Sequence, residues 1–274
     1  MINFFRRIRK KLADDNQFFK YSRYAIGEIL LVVIGILIAL QVNKHQDYLE
    51  ARSRECEYLK GLITDLTTEK MFLESYLEFD QEVINNAEAI LQGYYDRTGF
   101  TIDTIFSKRL SILNNRSTFR KHNSTYSELL ATGGLNLLLD QTLKQQIMLY
   151  FQTVDQYETV IRQNNEYIDN HFAPLALQVS THYVPNHQLK WSQKILEKGY
   201  IKPIFNKPAD FEFTFFKHIT NYLNDPIREL ELVNQIQYRY RISAVHLSIV
   251  DELLDSNLVL LEDLKKAINS CYRD

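Results

Sequence analysis

The sequence predicts an all-α protein: a single N-terminal transmembrane helix that continues into an antiparallel helical bundle. Three observations predict this. Gly (8) and Pro (5) are scarce in a chain of 274 residues, so few breakers interrupt a helix. Ile29–Leu40 reads ILLVVIGILIAL, an unbroken apolar run of twelve. Beyond it, apolar residues recur every seven positions, and strand-like alternation is weak throughout. The hydrophobic share of 45% and charged share of 24% are those of a globular chain and exclude a disordered one.

The first element is a basic segment, residues 1–23. Phe4, Phe5, Ile8 and Leu12 fall at helical spacing, with Arg6, Arg7, Arg9, Lys10 and Lys11 on the other side. Such a segment predicts an amphipathic helix on a membrane surface, its bases against anionic lipid. Residues 1–43 carry a net +4, which leaves −6 for the rest of a chain whose net charge is −2. An acidic domain offers no basic face for phosphate, so nucleic acid is excluded as its partner.

The second element is the span, residues 24–43. Ten of the twelve residues in Ile29–Leu40 are Ile, Leu or Val, worth on the order of −3 to −6 kcal/mol for insertion. Extension to Tyr24 and Asn43 gives about 30 Å of helix, which matches a bilayer core. Tyr21 and Tyr24 stand at the basic edge, where aromatic rings favour the interface. The run is followed by Gln41-Val42-Asn43-Lys44 with no small-x-small pair, so an uncleaved anchor is expected rather than a cleaved signal peptide. Seven bases precede the span, and four (Lys44, Arg52, Arg54 and Lys60) follow it closely. The positive-inside rule then expects a cytoplasmic N-terminus and places residues 44–274 outside, in the periplasm.

Glu28 lies one turn inside the basic edge. It reads either as a polar contact between membrane helices or a relay, or as a carboxylate paired with Arg23 or Lys20 near the headgroups. Gly27, Gly35 and Ala39 share one helix face. Gly35 and Ala39 form a small-xxx-small pair, which points to a homodimer through the membrane helix.

The third element is the helical domain, residues 44–274. Leu59, Leu66, Leu73, Asp80, Ala87 and Tyr94 are each seven apart, and Leu62/Ile63, Glu69/Lys70, Tyr76/Leu77, Val83/Ile84 and Ile90/Leu91 supply the second seam position. No Pro interrupts the stretch from Glu28 to Gln92, so the span is expected to run directly into this helix. Asp80 in the seam would set register, bind a ligand or reach water at its edge. Gly93 is the expected C-cap. Phe100–Leu113 reads as a shorter helix and 115–123 as a loop. Ser124 or Thr125 is expected to cap a short helix, with Glu128 placed for a capping box and Gly133-Gly134 as its stop. Asp140 caps a second long helix with the stripe Ile147, Tyr150, Val154, Tyr157, Ile161 and Tyr167; Pro174 kinks or ends it. Phe211–Leu223 is a short aromatic helix. Asn224 or Asp225 caps the last one, with Pro226 in its first turn and a stripe through Ile227, Leu230, Val233, Ile236, Tyr240, Leu247, Leu254, Leu258, Leu261 and Ile268.

The segments MINFFRRIRKKL and KYSRYAIGEILLVVIGILIALQVNK resemble the N-terminus of a Bacteroidetes family of single-pass membrane proteins of unknown function. TYSELLATGGLNLLL, residues 125–139, is similar to an internal segment of that family. The family carries a Trp just after the span, where this chain has His45 and Gln46. The resemblance implies an inner-membrane protein with a periplasmic helical domain. It implies no activity.

Chemistry is hard to find in the sequence. The seven histidines (His45, His122, His171, His182, His187, His218 and His246) form no HExxH and no i, i+4 pair. His182 and His187 lie near each other, with Trp191 following, too little for a metal site. There is no GxSxG, P-loop or GxGxxG. Cys56 and Cys271 are the only cysteines. They are expected as unpaired thiols unless the two ends of the domain meet. No catalytic, cofactor-binding or metal-binding residue is assigned, and an enzyme is not expected. The function expected is a non-catalytic binding or interaction module with an unidentified protein partner. The alternative is a sensor or transmission protein that couples the outer domain to a cytoplasmic partner.

Overall fold

The computed structural model describes residues 18–180, 198 and 211–271. Among the described residues every regular element is helical. In chain order these are α1 (Phe18–Arg97), α2 (Thr104–Leu113), α3 (Ser124–Thr132), a 3-10 turn (Gly134–Leu137), α4 (Gln141–Tyr167), a π turn (Ile168–Phe172), α5 (Ala173–Val179), α6 (Phe211–Leu223) and α7 (Pro226–Ser270). The all-α prediction therefore holds. The chain divides into two compact units, Met1–Glu57 and Tyr58–Asp274.

α1 is the one helix among the described residues that is long and apolar enough to cross a membrane, and its apolar run lies in the first unit. Its most apolar window of 18 residues has nothing buried. Large apolar side chains from Ile26 to Val42 are 42% to 71% exposed. α1 is a single helix of 80 residues with no break between the apolar run and the heptads, as expected. The basic residues Arg6, Arg7, Arg9, Lys10 and Lys11 lie outside the described residues, as do His182, His187 and Trp191.

The second unit is built on three long helices with heptad seams. On α1, Leu59, Leu62, Leu66, Glu69, Leu73, Asp80, Val83, Ala87 and Ile90 are all buried. On α7 a buried seam of Leu232, Ile236, Arg239, Ser243, His246, Val250, Leu253, Asn257, Leu260 and Leu264 follows a four-three alternation, with Val233, Ile242 and Leu261 buried beside it. Cross-helix bonds fix directions. Asn257 donates to the Leu66 carbonyl at 3.1 Å, Ser243 to Asp80 at 2.7 Å and Gln237 to Tyr95 at 2.6 Å, so α7 is antiparallel to α1. Gln146 donates to Asp263, Tyr157 to Glu252 and Gln235 to Tyr167, so α7 is antiparallel to α4 as well. Hence α1 and α4 run parallel, and residues 98–140 form the return connection. One apolar cluster surrounds Leu66, Ile147 and Leu260; a second surrounds Val83, Ile168 and Ile236.

Element ends correct several expectations. Gly93 does not cap α1, which runs on to Arg97. The stop is Thr98, in the left-handed region at φ 54°, with the Gly99 N–H on the Tyr94 carbonyl at 3.1 Å. This is a Schellman closure with a β-branched residue where Gly is usual. α2 starts at Thr104 rather than Phe100, because the Asp103 carboxylate accepts from the Phe106 N–H at 2.7 Å. The expected capping box on α3 does not form. Asp65 of α1 takes that role, accepting from Ser124 Oγ at 2.8 Å and from the Thr125 N–H at 2.7 Å. Asp140 caps α4 as expected, accepting from the Thr142 and Leu143 N–H groups. Pro174 does not end the helix outright. A π turn precedes it, which widens the backbone where the proline ring would meet a carbonyl one turn back. Asp225 caps α7 through the Ile227 N–H at 3.0 Å. The predicted α7 stripe is corrected in part. Ile227 is 77% and Leu230 59% exposed, because the buried seam turns instead through Leu232, Arg239, Ser243, His246 and Asn257.

The cysteine expectation is also corrected: neither cysteine is free, and both are disulfide-bonded. Cys271 follows α7 and packs against the apolar cluster of the second unit.

Gly61 faces α3 at close range. A Cβ there would sit 2.6 Å from Thr125 Oγ1 and 2.8 Å from Thr125 Cγ2, while Asp65 holds the Thr125 backbone. Gly61→Ala should therefore destabilise the protein by about 1–2 kcal/mol, despite the gain in helix propensity. Thr125→Ala in the same chain should recover most of the loss. Thermal melts of the two variants in detergent check this.

Candidate functional site

Three places in the described residues bear on function: the apolar segment of α1, two polar layers buried in the helical unit, and a groove between α4 and α7.

On the apolar segment, a Cβ added at Gly27 or Gly35 would meet nothing within 4 Å, and Ala39 is exposed. The face they share is open along the helix. Glu28 is half-buried and engaged in a polar interaction.

The first polar layer takes one residue or more from each long helix. Asp80 of α1 is 2% exposed, which corrects the expectation that it reaches water at the edge of the seam. Ser243 Oγ donates to Asp80 Oδ1 at 2.7 Å and accepts from Arg239 Nη1 at 2.6 Å. Arg239 Nε donates to the Leu113 carbonyl at 2.9 Å, and Nη2 donates to the Asn115 carbonyl at 3.1 Å. His246 completes the layer. Its Nε2 accepts from Asn164 Nδ2 of α4 at 3.0 Å, since an amide nitrogen only donates, so Nδ1 carries the proton and faces Asp80 Oδ1 at 3.7 Å. Burial lowers the Arg239 pKa to about 10; Asp80 acts against that fall and Arg116 adds to it. The guanidinium therefore stays charged at neutral pH.

Ser, His and Asp meet here without forming a catalytic triad. The serine donates to the carboxylate rather than to the imidazole, and Ser243, His246 and Asp80 are almost completely enclosed. A nucleophile needs a hydrogen-bonded base and an approach path for substrate. The layer instead reads as a register device between helices.

The second layer repeats the scheme. Tyr150 of α4 donates to Glu69 Oε2 of α1 at 2.8 Å, and Asn257 of α7 donates to Tyr150 Oη at 3.1 Å. Burial raises the Glu69 pKa to about 7. The Tyr150 hydrogen bond lowers it, as does the His122 backbone N–H, which faces the carboxylate without closing a full hydrogen bond; the charge of Asp65 adds to the rise. Burial likewise raises the Tyr150 pKa, with Glu69 contributing.

The groove has a volume of about 420 Å³ and is lined by Gln146, Leu149, Tyr150 and Thr153 of α4 and by Glu252, Asp255, Ser256, Val259 and Leu260 of α7. Tyr150 and Leu260 form a buried floor, and Leu149 and Val259 are exposed walls. Tyr150 thus joins the groove to the second layer. A smaller cavity of about 200 Å³ lies where α1 meets α2, beside Tyr94, Arg97, Phe100, Phe106 and Arg109. Among the described residues no group of three His, Cys, Asp or Glu is placed to hold a metal ion.

The sequence reading placed Glu69 and Asp80 in the α1 seam but missed Arg239, Ser243, His246, Asn164 and Asn257. The signal was present, since the α7 residues continue the four-three spacing of Leu232, Ile236, Val250 and Leu253. A search for apolar residues passes over polar ones at seam positions. No family model, curated protein or solved structure matches the chain.

The Glu69 carboxyl generates a pH dependence with a definite sign. Its pKa rises from 4.5 to about 7 on folding, so the folded state binds the extra proton and stability falls as pH rises from about 4.5 to 7, then levels off. Glu69→Gln should remove that fall and raise stability above pH 7 by roughly 2–3 kcal/mol. Melts of both proteins from pH 4.5 to 8 check it; parallel curves would refute the assignment. Asp80→Ala should cost about 3 kcal/mol at neutral pH, since it leaves the Arg239 charge buried without its carboxylate. Chemical denaturation measures that loss.

Proposed function

We propose that this protein is a membrane-anchored interaction module, held by residues 24–43 with its N-terminus in the cytoplasm and its helical domain in the periplasm. The observation that carries this reading is the apolar stretch of α1. It is too hydrophobic for water and has no protein packed on it. A bilayer supplies the missing apolar environment, and such a helix satisfies its own backbone there. The orientation draws support from the seven-to-four excess of bases on the N-terminal side. It draws further support from the disulfide-bonded state of Cys56 and Cys271, since disulfides persist in oxidising compartments and are rare in the cytosol. Arg6, Arg7, Arg9, Lys10 and Lys11 would then lie against anionic lipid of the inner leaflet, and Gly35 and Ala39 would line a homodimer contact. We further propose membership in the Bacteroidetes family that the N-terminus resembles.

The interaction role follows from the kind of polar chemistry the helical unit holds. Its two buried polar layers join helices, and among the described residues a groove opens between α4 and α7 and a smaller cavity beside α2. A second reading, transmission across the membrane, is favoured by the unbroken course of α1 through both the apolar stretch and the heptads.

Alkaline phosphatase fused after Asp274 should be active in cells, and a green fluorescent protein fused there should be dark. A fluorescent, phosphatase-negative pair would overturn the orientation. In the same cells the protein should resist extraction by alkaline carbonate; release into the wash would overturn the anchor.

A further inference from the structure

We infer that the groove between α4 and α7 is a binding site for a small organic cation, an amine carried on an apolar body. This goes beyond the anchored-module reading and does not depend on its topology.

The groove's size suits a small molecule, since ligand sites commonly enclose about 300–1,000 Å³. Leu149, Val259, Leu260 and the ring of Tyr150 give it an apolar surface, and Gln146, Thr153 and Ser256 add neutral polar groups. Its charged lining residues are Glu252 and Asp255, one turn apart on α7. The flanking helices reinforce that sign. α4 has no Lys or Arg between Lys144 and Arg162, and α7 has none between Arg241 and Lys265. Three neighbouring acids are paired elsewhere. Lys121 pairs with Asp155 at 2.7 Å and with Glu158 at 2.9 Å, and Lys266 pairs with Asp263 at 3.0 Å. Glu252 accepts from Tyr157 at 2.8 Å, which fixes the position of its carboxylate. Asp255 makes no ion pair among the described residues, and it stands on the groove lining.

An anion is excluded by this field. A hydrated divalent metal is a poor match, because hard cations need several oxygen ligands and no group of three His, Cys, Asp or Glu among the described residues is placed to hold one. A neutral apolar molecule would gain nothing from the charge of Asp255 and Glu252. An ammonium on an aliphatic or aromatic body satisfies both halves: its body displaces water from Leu149, Val259 and Tyr150, and its charge meets Asp255 and Glu252.

The test uses the full chain in nanodiscs of zwitterionic phosphatidylcholine, titrated calorimetrically with phenethylamine, 2-phenylethanol and 3-phenylpropionate. Phenethylamine should bind more tightly than the alcohol, and the acid should not bind. The double variant Glu252→Gln/Asp255→Asn changes two exposed side chains and should keep its helix content by circular dichroism. It should bind phenethylamine about tenfold more weakly. Val259→Trp should fill the groove and abolish binding. The inference is overturned if phenethylamine binds no more tightly than the alcohol, or if the folded double variant binds it as the parent does.

Discussion

A charged guanidinium cannot lie inside an apolar bundle unless its hydrogen bonds and its charge are met there. Arg239 is 2% exposed in the middle of α7, and much of the helical unit is arranged to satisfy it. Its donors take the Leu113 carbonyl at the end of α2, the Asn115 carbonyl just beyond, and Ser243 on its own helix. The Leu113 carbonyl is an orphan of a helix C-terminus, where a positive charge is also favoured by the helix dipole. Asp80 of α1 supplies the counter-charge. One side chain thereby ties α7 to α1 and to the end of α2. Sliding any of these elements by one residue would strand a buried charge.

The second layer strengthens the constraint through arithmetic. Glu69 and Asp80 are eleven residues apart on α1, and His246 and Asn257 are eleven apart on α7. In antiparallel helices a single register brings both pairs together, about 16 Å apart along the axis. α4 joins each layer, through Tyr150 and Asn164. Apolar side chains between the layers provide most of the burial energy but tolerate small slips. The polar layers do not, because each slip costs unsatisfied groups. Stability and uniqueness thus rest on different residues.

The short return connection between α1 and α4 shows the same division. α3 has no cap of its own and borrows Asp65 from α1, while Gly61 lets it approach. A nine-residue helix is too short to be stable alone, so its position is set by the partner helix. The groove opens between α4 and α7. Its floor, Tyr150, is also a member of the second layer, so occupation of the groove and the state of Glu69 share one side chain.

Much of this was legible in the residues themselves. Low Gly and Pro content, the apolar run and the heptads determined an all-α chain with one helix able to span a bilayer, because these depend on local propensity and periodicity. The caps at Asp140 and Asp225, the helix Phe211–Leu223 and the α1 seam were readable for the same reason: each signal lies within a few residues of the structure it makes. What lay beyond reading was decided by contacts between residues far apart in sequence. The cap from Asp65, the burial of Asp80 and the polar seam of α7 each need a partner 60 or more positions away. The groove is of this kind too, since Asp255 becomes part of a lining only when α4 lies beside it. Sequence carried the elements, whose energetics are local; tertiary structure alone decided the partners of the buried charges, whose energetics depend on what surrounds them.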